Sequence, residues 1–278
     1  MLEILKGGTH STIQDDGRSK FRGKGIPVSG AMDSYAHYLA NNILGNNDGE
    51  AVIEFVFQGP TLKFHRPTTI VLTGADFNAK KNGQEIPTRK RIRVKTGDVI
   101  ELKTARNGVY GYLGISGRFL IEKKFESQSY YPNICEKTIL KTGMKLDFIG
   151  RLISSNQNAK SKIVRNYLEN LEVLKGPEFH LLPDKQKEII ENEAFVISNH
   201  SNRMSIQLEH NFELGMKDIL TVPVQPGVIQ MTPSGKLMAL MQDAQTTGGY
   251  ARVLILTEES RSLLAQKQPR TEIEFRLV

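Results

Sequence analysis

The segment Ala51–Phe57 reads AVIEFVF and is bounded by glycine and proline. Short runs rich in Val, Ile and Phe between such residues are typical of buried β-strands. Similar runs occur at Thr69–Thr73, Asp98–Leu102 and Val253–Thr257, and the C-terminal Thr271–Val278 alternates polar and apolar residues as a half-buried strand does. This spacing predicts an all-β fold of barrels or sandwiches with a few short helices, rather than alternating strands and helices.

Three short helices are predicted among the strands. The first covers Ser34–Leu44, where apolar residues recur at helical spacing. Asp33 suits its N-cap, and Gly45 suits the position after its last turn. The other two are expected at 183–191, which begins with a proline, and at 258–268, which follows a threonine and ends before a proline.

The chain has 278 residues, and at about 150 residues per domain this length predicts two domains. Leu2–Gly8, LEILKGG, resembles Leu171–Pro177, LEVLKGP, 169 residues further along. Such an internal repeat indicates two similar β-rich halves. We expect an N-terminal module at 1–153 and a C-terminal module at 163–278, joined by the polar linker 154–162.

The net charge of +7 has its densest patch in Arg89–Lys95, RKRIRVK, where cations alternate with Ile92 and Val94. On a strand, this alternation places the cations on one face and the apolar residues on the other. No aromatic residue lies among the cations to stack on bases, so a solvated outer face is favoured over a nucleic-acid surface. We expect no nucleic-acid partner.

Several kinds of site are not predicted. The single cysteine, Cys135, precludes an intrachain disulfide, and the six histidines show no spacing typical of metal ligands, so no metal is expected. No apolar stretch approaches the roughly 18 residues of a membrane span, and no signal peptide is recognised, so we expect a cytoplasmic protein without membrane contact. Gln230 stands where a phosphate-binding loop would need glycine, so no nucleotide is expected to bind through such a loop.

Residues 14–33 form the first of two glycine-rich polar segments that are candidate ligand sites. Arg18 offers a planar guanidinium that can bind a carboxylate, or it can take part in a structural ion pair. Asp33 can act as a plain N-cap or as a functional carboxylate. The sequence leaves these alternatives open.

The second polar segment covers residues 223–252. Gln245, Thr246 and Thr247 supply uncharged hydrogen-bond donors and acceptors, and Gly248-Gly249 exposes backbone amides. This combination suits a neutral polar ligand such as an amide, a lactam or a ureido group. A turn rich in hydrogen bonds would use the same residues, and spacing alone favours the turn.

Motifs in both segments resemble one known family. They are GIPVSGAMD at Gly25–Asp33, TGAD at Thr73–Asp76 and QTTGGY at Gln245–Tyr250, and further matches run nearly end to end. The chain thereby resembles the biotin-dependent carboxyltransferase-like family, also called the family of the second allophanate hydrolase subunit. That family includes the C-type subunits of 5-oxoprolinases and the kinase-inhibitor antagonist KipA.

The resemblance implies two cyclophilin-like β-barrel modules. It also implies an enzyme component, the C-type subunit of an ATP-dependent 5-oxoprolinase that opens 5-oxoproline to glutamate. The implied partners are a subunit 1-like protein, which is the B-type subunit, and a lactam-utilisation protein, which is the A-type subunit. ATP would be used by the complex, while this chain alone would bind no cofactor and would be inactive.

The same resemblance directs attention to particular residues. Arg18 is expected to anchor a substrate carboxylate, and Asp33 to act as a catalytic acid, base or orienting carboxylate. The residues expected to bind the small-molecule substrate are Ser29, Arg203, Gln230, Gln245, Thr246, Thr247, Gly248, Gly249 and Tyr250.

Three departures from the family pattern stand out. Ala251 replaces a proline, Gln128 replaces an arginine that often lies between two serines, and Pro132–Glu136 replaces a glycine-rich stretch.

Two other functions therefore stay open. One is a carboxyltransferase component that moves a carboxyl group from carboxybiotin on another protein to urea or a related amide. The other is a regulatory binding protein of the kinase-inhibitor antagonist type, without turnover.

Overall fold

The residues of the computed structural model form two compact units. The structure describes residues 1–136, 139–153, 170–210, 212 and 215–278. The first unit comprises Met1–Gly17 with Ser29–Arg165, and the second comprises Arg18–Val28 with Asn166–Val278. The predicted linker, 154–162, lies outside the described residues, and the predicted module boundaries stay a prediction.

β-Strands dominate both units, which confirms the predicted all-β class with a few short helices. The strands of the first unit are β1 Leu2–Lys6, β2 His10–Gln14, β3 Val52–Val56, β4 Thr61–Phe64, β5 Thr68–Gly74, β6 Lys80–Lys81, β7 Gln84–Glu85, β8 Ile92–Val94, β9 Val99–Glu101, β10 Tyr110–Ile115, β11 Gly117–Phe119, β12 Lys145–Leu146 and β13 Phe148–Gly150. Those of the second unit are β14 Asn170–Lys175, β15 Phe195–Ile197, β16 Ser205–Glu209, β17 Val222–Pro223, β18 Val228–Met231, β19 Leu237–Leu240, β20 Thr247–Gly248, β21 Ala251–Leu256 and β22 Glu272–Leu277.

The helices are short and few among the described residues. The α-helices are α1 Ser34–Leu44, α2 Asp184–Asn192 and α3 Glu258–Ala265, and two 3₁₀ helices cover Ser19–Lys24 and Phe179–Leu181. All three predicted α-helices are therefore confirmed. None of the helices in the part of the chain that the structure describes is long and apolar enough to cross a membrane.

Two main sheets build the first unit. Six strands are ordered β12-β1-β4-β9-β6-β7, five are ordered β2-β3-β10-β5-β8, and β11 pairs with β13. One hydrophobic core takes side chains from both sheets, including Leu2 and Ile4 of β1 and Ile53 and Phe55 of β3. The strands of this unit thus form two sheets that share one core.

The basic strand β8 lies at the edge of the five-stranded sheet. Ile92 and Val94 are buried, whereas Arg93 between them is exposed. The predicted two-faced strand is confirmed. An exposed cation on an edge strand also disfavours pairing with a strand of another molecule.

Helix α1 covers the face of the five-stranded sheet opposite the shared core, and it contacts β5 and β10. Its apolar residues are buried, as their helical spacing predicts. The Asp33 side chain accepts a hydrogen bond from the Ala36 amide at 2.9 Å, and Gly45 has the left-handed conformation with φ 62°. Both helix ends are therefore capped as the sequence predicts.

The second unit contains a closed barrel of seven strands in the order β14-β21-β18-β19-β16-β15-β22. β14 and β22 are parallel, and the other neighbouring strands are antiparallel. Helix α2 contacts β22, and α3 contacts β14 and β21. Arg22 attaches residues 18–28 to this unit, because its guanidinium donates to Gln225 Oε1 at 3.0 Å and to the Val224 carbonyl at 2.5 Å.

The two similar sequence segments LEILKG and LEVLKG begin with strands β1 and β14. Each strand is followed by a glycine, Gly7 or Gly176, at which a side chain would clash with a backbone carbonyl. The carbonyls belong to Leu140 and Arg252. The repeated glycine is explained by this close backbone approach, which only a residue without Cβ permits.

We predict that Gly111→Ala destabilises the first unit. An added Cβ on this residue of β10 would clash with the rings of Phe55 and Phe77, which pack edge to face with centroids 4.7 Å apart. Overpacking of this kind costs about 1–3 kcal/mol in the free energy of unfolding, which urea denaturation measures. Gly23→Ala is the matched control, because a Cβ there meets nothing within 4 Å. Equal stability of the two variants would contradict the prediction.

Candidate functional site

A row of buried polar residues crosses the five-stranded sheet. Thr12, Glu54, Tyr112 and Thr73 lie directly opposite one another on β2, β3, β10 and β5, and all four are buried. Directly opposed residues share one face of a sheet, and here it is the face that α1 covers. The Thr73 hydroxyl donates to the Ala36 carbonyl of α1 at 2.7 Å, so the row is bonded to the helix.

Glu54 fixes the residues that lead into α1. Its Oε2 accepts hydrogen bonds from the Met32 amide at 2.8 Å and from the Tyr112 hydroxyl at 2.9 Å. The Tyr112 hydroxyl in turn accepts from the Asp33 amide at 2.8 Å. These bonds satisfy buried backbone donors ahead of the helix and hold Met32 and Asp33, the last two residues of the GIPVSGAMD motif, against the sheet.

Two buried carboxyl groups, those of Asp33 and Glu54, therefore interact with one phenol. Burial, followed by the charges of Glu54 and Asp33, raises the pKa of Tyr112 well above its ordinary value. The hydroxyl keeps its proton at neutral pH and remains a donor to Glu54. The arrangement can hold a proton between phenol and carboxylate. Asp33 is an N-cap in this structure, and its catalytic role stays a prediction.

The Asp15 carboxylate binds the segment around Gln128, the residue that stands where the family often has an arginine. Its Oδ1 accepts from the hydroxyls of Ser127 at 2.6 Å and Ser129 at 2.5 Å, and from the Gly17 amide at 2.8 Å. Its Oδ2 accepts from the Gln128 amide at 2.6 Å. Four hydrogen bonds to one carboxylate compensate its burial. The two serines that flank Gln128 thus have a structural role.

A third buried polar group lies on α1. His37 is 2% exposed, with Nδ1 3.2 Å from Asp16 Oδ1 and Nε2 2.8 Å from the Glu50 carbonyl. Burial acts to lower the pKa of His37, but the bonds to Asp16 and Glu50 outweigh it, so this pKa is raised. The bond from His37 lowers the pKa of Asp16. Both ring nitrogens face acceptors, which favours the doubly protonated imidazolium.

In the second unit, the QTTGGY motif forms a short hairpin-like pair with β17. Thr247 and Gly248 pair with Pro223 and Val222. Gln230 lies beneath this pair, is 1% exposed, and donates from Nε2 to the Tyr250 carbonyl at 3.1 Å. A Cβ at Gly248 would lie 2.9 Å from that nitrogen, so the glycine permits the close approach.

These contacts bring together Gln230, Gly248 and Tyr250 among the predicted substrate-binding residues. They also show that the motif is a turn rich in hydrogen bonds, because the Val224 amide donates to the Thr246 carbonyl at 2.9 Å. The side chains of Thr247 and Tyr250 stay exposed. Their predicted contact with substrate stays a prediction.

Arg203 forms a two-point ion pair within the second unit. Its Nε lies 2.8 Å from Asp243 Oδ2, and its Nη2 lies 3.0 Å from Asp243 Oδ1. Such a bidentate pair orients the guanidinium. Arg203 therefore has a structural role. Its contact with substrate stays a prediction.

The predicted site residues divide between the two units. Ser29 and Asp33 belong to the first unit, and Arg18, Arg203, Gln230 and the six residues Gln245–Tyr250 belong to the second. Arg18 is 2% exposed and Ser29 is fully buried. Ser29 also has a positive φ of 57°, a strained conformation for a residue with a side chain. Their functional assignments stay predictions.

Sequence reasoning did not single out Glu54, Tyr112, Asp15 or His37 as parts of a buried network. Only Glu54 carried a recognisable signal, a lone carboxylate in the middle of the apolar run AVIEFVF. A charge at such a position is retained only if it is paired or hydrogen-bonded. The partners of the other three residues come from distant strands and loops, which no local pattern identifies.

Comparison with known proteins identifies the family to which this chain is similar. Residues 24–277 match the family described as carboxyltransferase domain, subdomain A and B. The C-type subunit of the Escherichia coli K12 5-oxoprolinase is 30% identical over 274 residues, which cover 96% of this chain and 87% of that protein. The protein of the same name from Haemophilus influenzae is 28% identical over 292 residues, covering 100% of this chain and 91% of that protein.

Other similar proteins are longer. The urea amidolyase of Saccharomyces cerevisiae is 38% identical over 131 residues, which cover 47% of this chain and 7% of that protein. The crystal structure of TTHA0988 superimposes with a TM-score of 0.90 at 26% identity, covering 99% of this chain. This chain spans 55% of the TTHA0988 chain.

We predict that Tyr112→Phe destabilises the protein, because it leaves the Glu54 carboxylate and the Asp33 amide each without one buried partner. An unsatisfied buried group costs about 1–3 kcal/mol, which urea unfolding measures. Tyr38→Phe is the control, because Tyr38 is 52% exposed and its change should stay within about 0.5 kcal/mol. Two variants of equal stability would show that the buried hydroxyl contributes nothing.

We predict that His37 stabilises the protein mainly at mildly acidic pH. Its folded-state pKa is raised, so the contribution is complete below the unfolded value of 6.5 and is lost as pH rises through the folded value. The lowered pKa of Asp16 preserves the pair until pH falls through a value below 3.8. The melting-temperature difference between wild type and His37→Gln should therefore be largest near about pH 5–6 and shrink at higher pH.

The control for this pH series is His200→Gln, at an exposed residue. Its melting temperature should run parallel to the wild type across the same pH range. A His37→Gln difference that grows as pH rises above about 6 would contradict the assigned direction of the pKa change.

Proposed function

This chain belongs to the carboxyltransferase domain family, subdomain A and B, and from that premise we propose that it is the C-type subunit of an ATP-dependent 5-oxoprolinase. In this reaction water adds to the lactam carbonyl carbon of 5-oxoproline, the carbon–nitrogen bond breaks and the nitrogen takes up a proton, giving glutamate. ATP hydrolysis by the complex supplies the driving force.

The extent of the similarity carries this proposal. The match to the Escherichia coli C-type subunit includes 96% of this chain and 87% of that protein, whereas the match to the yeast urea amidolyase includes only 7% of that enzyme. The similarity is thus to a protein of comparable extent, the name of which assigns it to a multi-subunit enzyme. We propose a B-type protein (subunit 1-like) and an A-type protein (lactam-utilisation) as partners, with no cofactor bound by this chain alone.

Within the second unit, the QTTGGY segment supports a role in binding the lactam. Thr247 is exposed, and β20 lies in a turn that Gln230 supports through its bond to the Tyr250 carbonyl. Neutral donors and acceptors of this kind can bind the amide group of a lactam and stabilise negative charge on its oxygen. We assign this role to Gln245, Thr246, Thr247, Gly248 and Gly249, with Ser29, Arg203, Gln230 and Tyr250 as further substrate-binding candidates.

For the catalytic step, we keep Asp33 as the carboxyl group that orients or moves a proton and Arg18 as the anchor for the substrate carboxylate. The bond from the Tyr112 hydroxyl to Glu54 and the bond from the Asp33 amide to Tyr112 support precise placement of Asp33. A carboxylate locked at a helix N-terminus is well suited to a positioned role, because its orientation costs little entropy when substrate binds.

The second candidate function is a carboxyltransferase component that accepts carboxybiotin from another protein and acts on urea or a related amide. The observation that favours it is the 38% identity to the yeast urea amidolyase over 131 residues, which exceeds the identity to either 5-oxoprolinase relative. The third, a regulatory binding protein without turnover, shares the same partners and differs only in lacking catalysis.

The test is reconstitution. The chain is co-purified with its B-type and A-type partner proteins, and glutamate release from 5-oxoproline is measured with and without ATP. We expect ATP-dependent release that requires this chain. Thr247→Ala should lower kcat/KM by at least about tenfold, whereas Thr96→Ala, at an exposed turn residue of the first unit, should not change it.

The outcomes separate the three functions. A correctly assembled complex that releases no glutamate but consumes carboxybiotin in the presence of urea would replace the proposal with the carboxyltransferase function. A complex that assembles tightly and shows neither reaction would favour the regulatory function. In that case Arg18→Ala and Thr247→Ala would leave partner regulation unchanged.

A further inference from the structure

An ion pair lies next to the QTTGGY motif in the second unit. Arg252, two residues after Tyr250, donates from Nε to Glu178 Oε2 at 2.9 Å and from Nη2 to Glu178 Oε1 at 2.7 Å. The side chains of Arg252 and Glu178 are only 21% and 14% exposed, so the pair is shielded from solvent. Neither residue is among the predicted catalytic or substrate-binding residues, and the proposed function leaves the pair without a role.

Glu178 continues the pairing of β21 beyond the end of β14. β14 ends at Lys175, and the Gly176 amide still donates to the Val253 carbonyl at 2.8 Å. The Arg252 amide then donates to Glu178 Oε2 at 2.8 Å, and the Glu178 amide donates to the Arg252 carbonyl at 3.2 Å. The carboxylate thus takes the place of a strand carbonyl, and it holds both the backbone and the guanidinium of Arg252.

The two-point contact also directs the third nitrogen of the guanidinium. The bond from Arg252 lowers the pKa of Glu178, and the same bond raises the pKa of Arg252, so both groups are charged at neutral pH. Because the guanidinium is planar, fixing Nε and Nη2 fixes the direction of Nη1. Nη1 reaches the Pro223 carbonyl at 3.5 Å, and Pro223 lies on β17 opposite Thr247 of β20. Arg252 therefore links the strand that follows QTTGGY to the strand that pairs with it.

The pair of β17 with β20 needs support from outside. Each strand has two residues, and the pair is separate from the closed barrel. A two-stranded pair is at best marginally stable by itself. Gln230 holds the Tyr250 carbonyl after β20, Arg22 holds the Val224 carbonyl after β17, and Arg252 holds β17 itself.

We propose that Arg252, oriented by Glu178, is a positioning residue for the turn that binds the lactam. The inference rests on the proposed function, and it gives the ion pair no contact with substrate. By holding β17, Arg252 holds Thr247 and Gly248, so the donors and acceptors of the turn are in place before the lactam arrives. Without this contact the turn would be ordered only when the lactam binds, and that ordering would weaken binding.

The test compares Arg252→Lys and Glu178→Gln in the full chain, each reconstituted with the B-type and A-type proteins. Lysine keeps the charge but cannot bond Glu178 at two points and reach Pro223. We expect each variant to raise the KM for 5-oxoproline at least about threefold, while the KM for ATP changes by less than about 1.5-fold. A purely structural defect would lower kcat by reducing the amount of active complex and leave KM unchanged. Arg270→Lys and Glu188→Gln, at exposed residues of the second unit, are the matched controls and should change neither KM.

Hydrogen exchange in the chain alone gives a second measurement that needs no activity. The amides of residues 246–250 should exchange at least about threefold faster in both variants, whereas those of Leu237–Leu240 in the barrel should keep their wild-type rates. If Glu178→Gln fails to fold, Arg252→Lys decides the question.

Unchanged exchange in residues 246–250, or an unchanged KM for 5-oxoproline in an active complex, would overturn the positioning role. A wild-type complex that releases no glutamate would instead overturn the proposed function. Faster exchange in the variants would then still support the placement of the turn by Arg252, and unchanged exchange would overturn that as well.

Discussion

The first unit depends on the burial of one carboxylate. Glu54 is placed by β3 on the face of the sheet that α1 covers, where it is 3% exposed. A charged group there is tolerated only if hydrogen bonds replace its lost hydration. The Tyr112 hydroxyl and the Met32 amide supply them. Leaving such a buried group without one of its hydrogen-bond partners costs about 1–3 kcal/mol, so the contact constrains its surroundings strongly.

That constraint organises the neighbourhood of α1. Because Met32 and Asp33 are bonded to the Glu54–Tyr112 pair, the residues that start the helix are fixed independently of the contacts that the helix makes with the sheet. The Thr73 hydroxyl donates a hydrogen bond to the first turn of α1, and Asp33 caps that turn.

Local patterns predicted the elements well. The apolar spacing of α1 and its caps, Asp33 and Gly45, predicted both ends of the helix. The alternation in RKRIRVK predicted the two faces of β8. The strand pairings were not predictable in this way. β1 pairs with β4 and β12, and β14 pairs with β21 and β22, because register is decided by long-range burial and not by neighbouring residues.

By itself, the sequence determined the all-β class, the three helices with their caps, and the family motifs that name candidate residues, because these depend on spacing within a few residues. Tertiary structure alone decided that the first unit has two sheets sharing a core and that the second closes into a barrel. It also decided that Arg203 is paired with Asp243 and that Arg252 is paired with Glu178. These facts require residues distant in sequence to meet, and the free energy of burying a polar group depends on which partners it finds there.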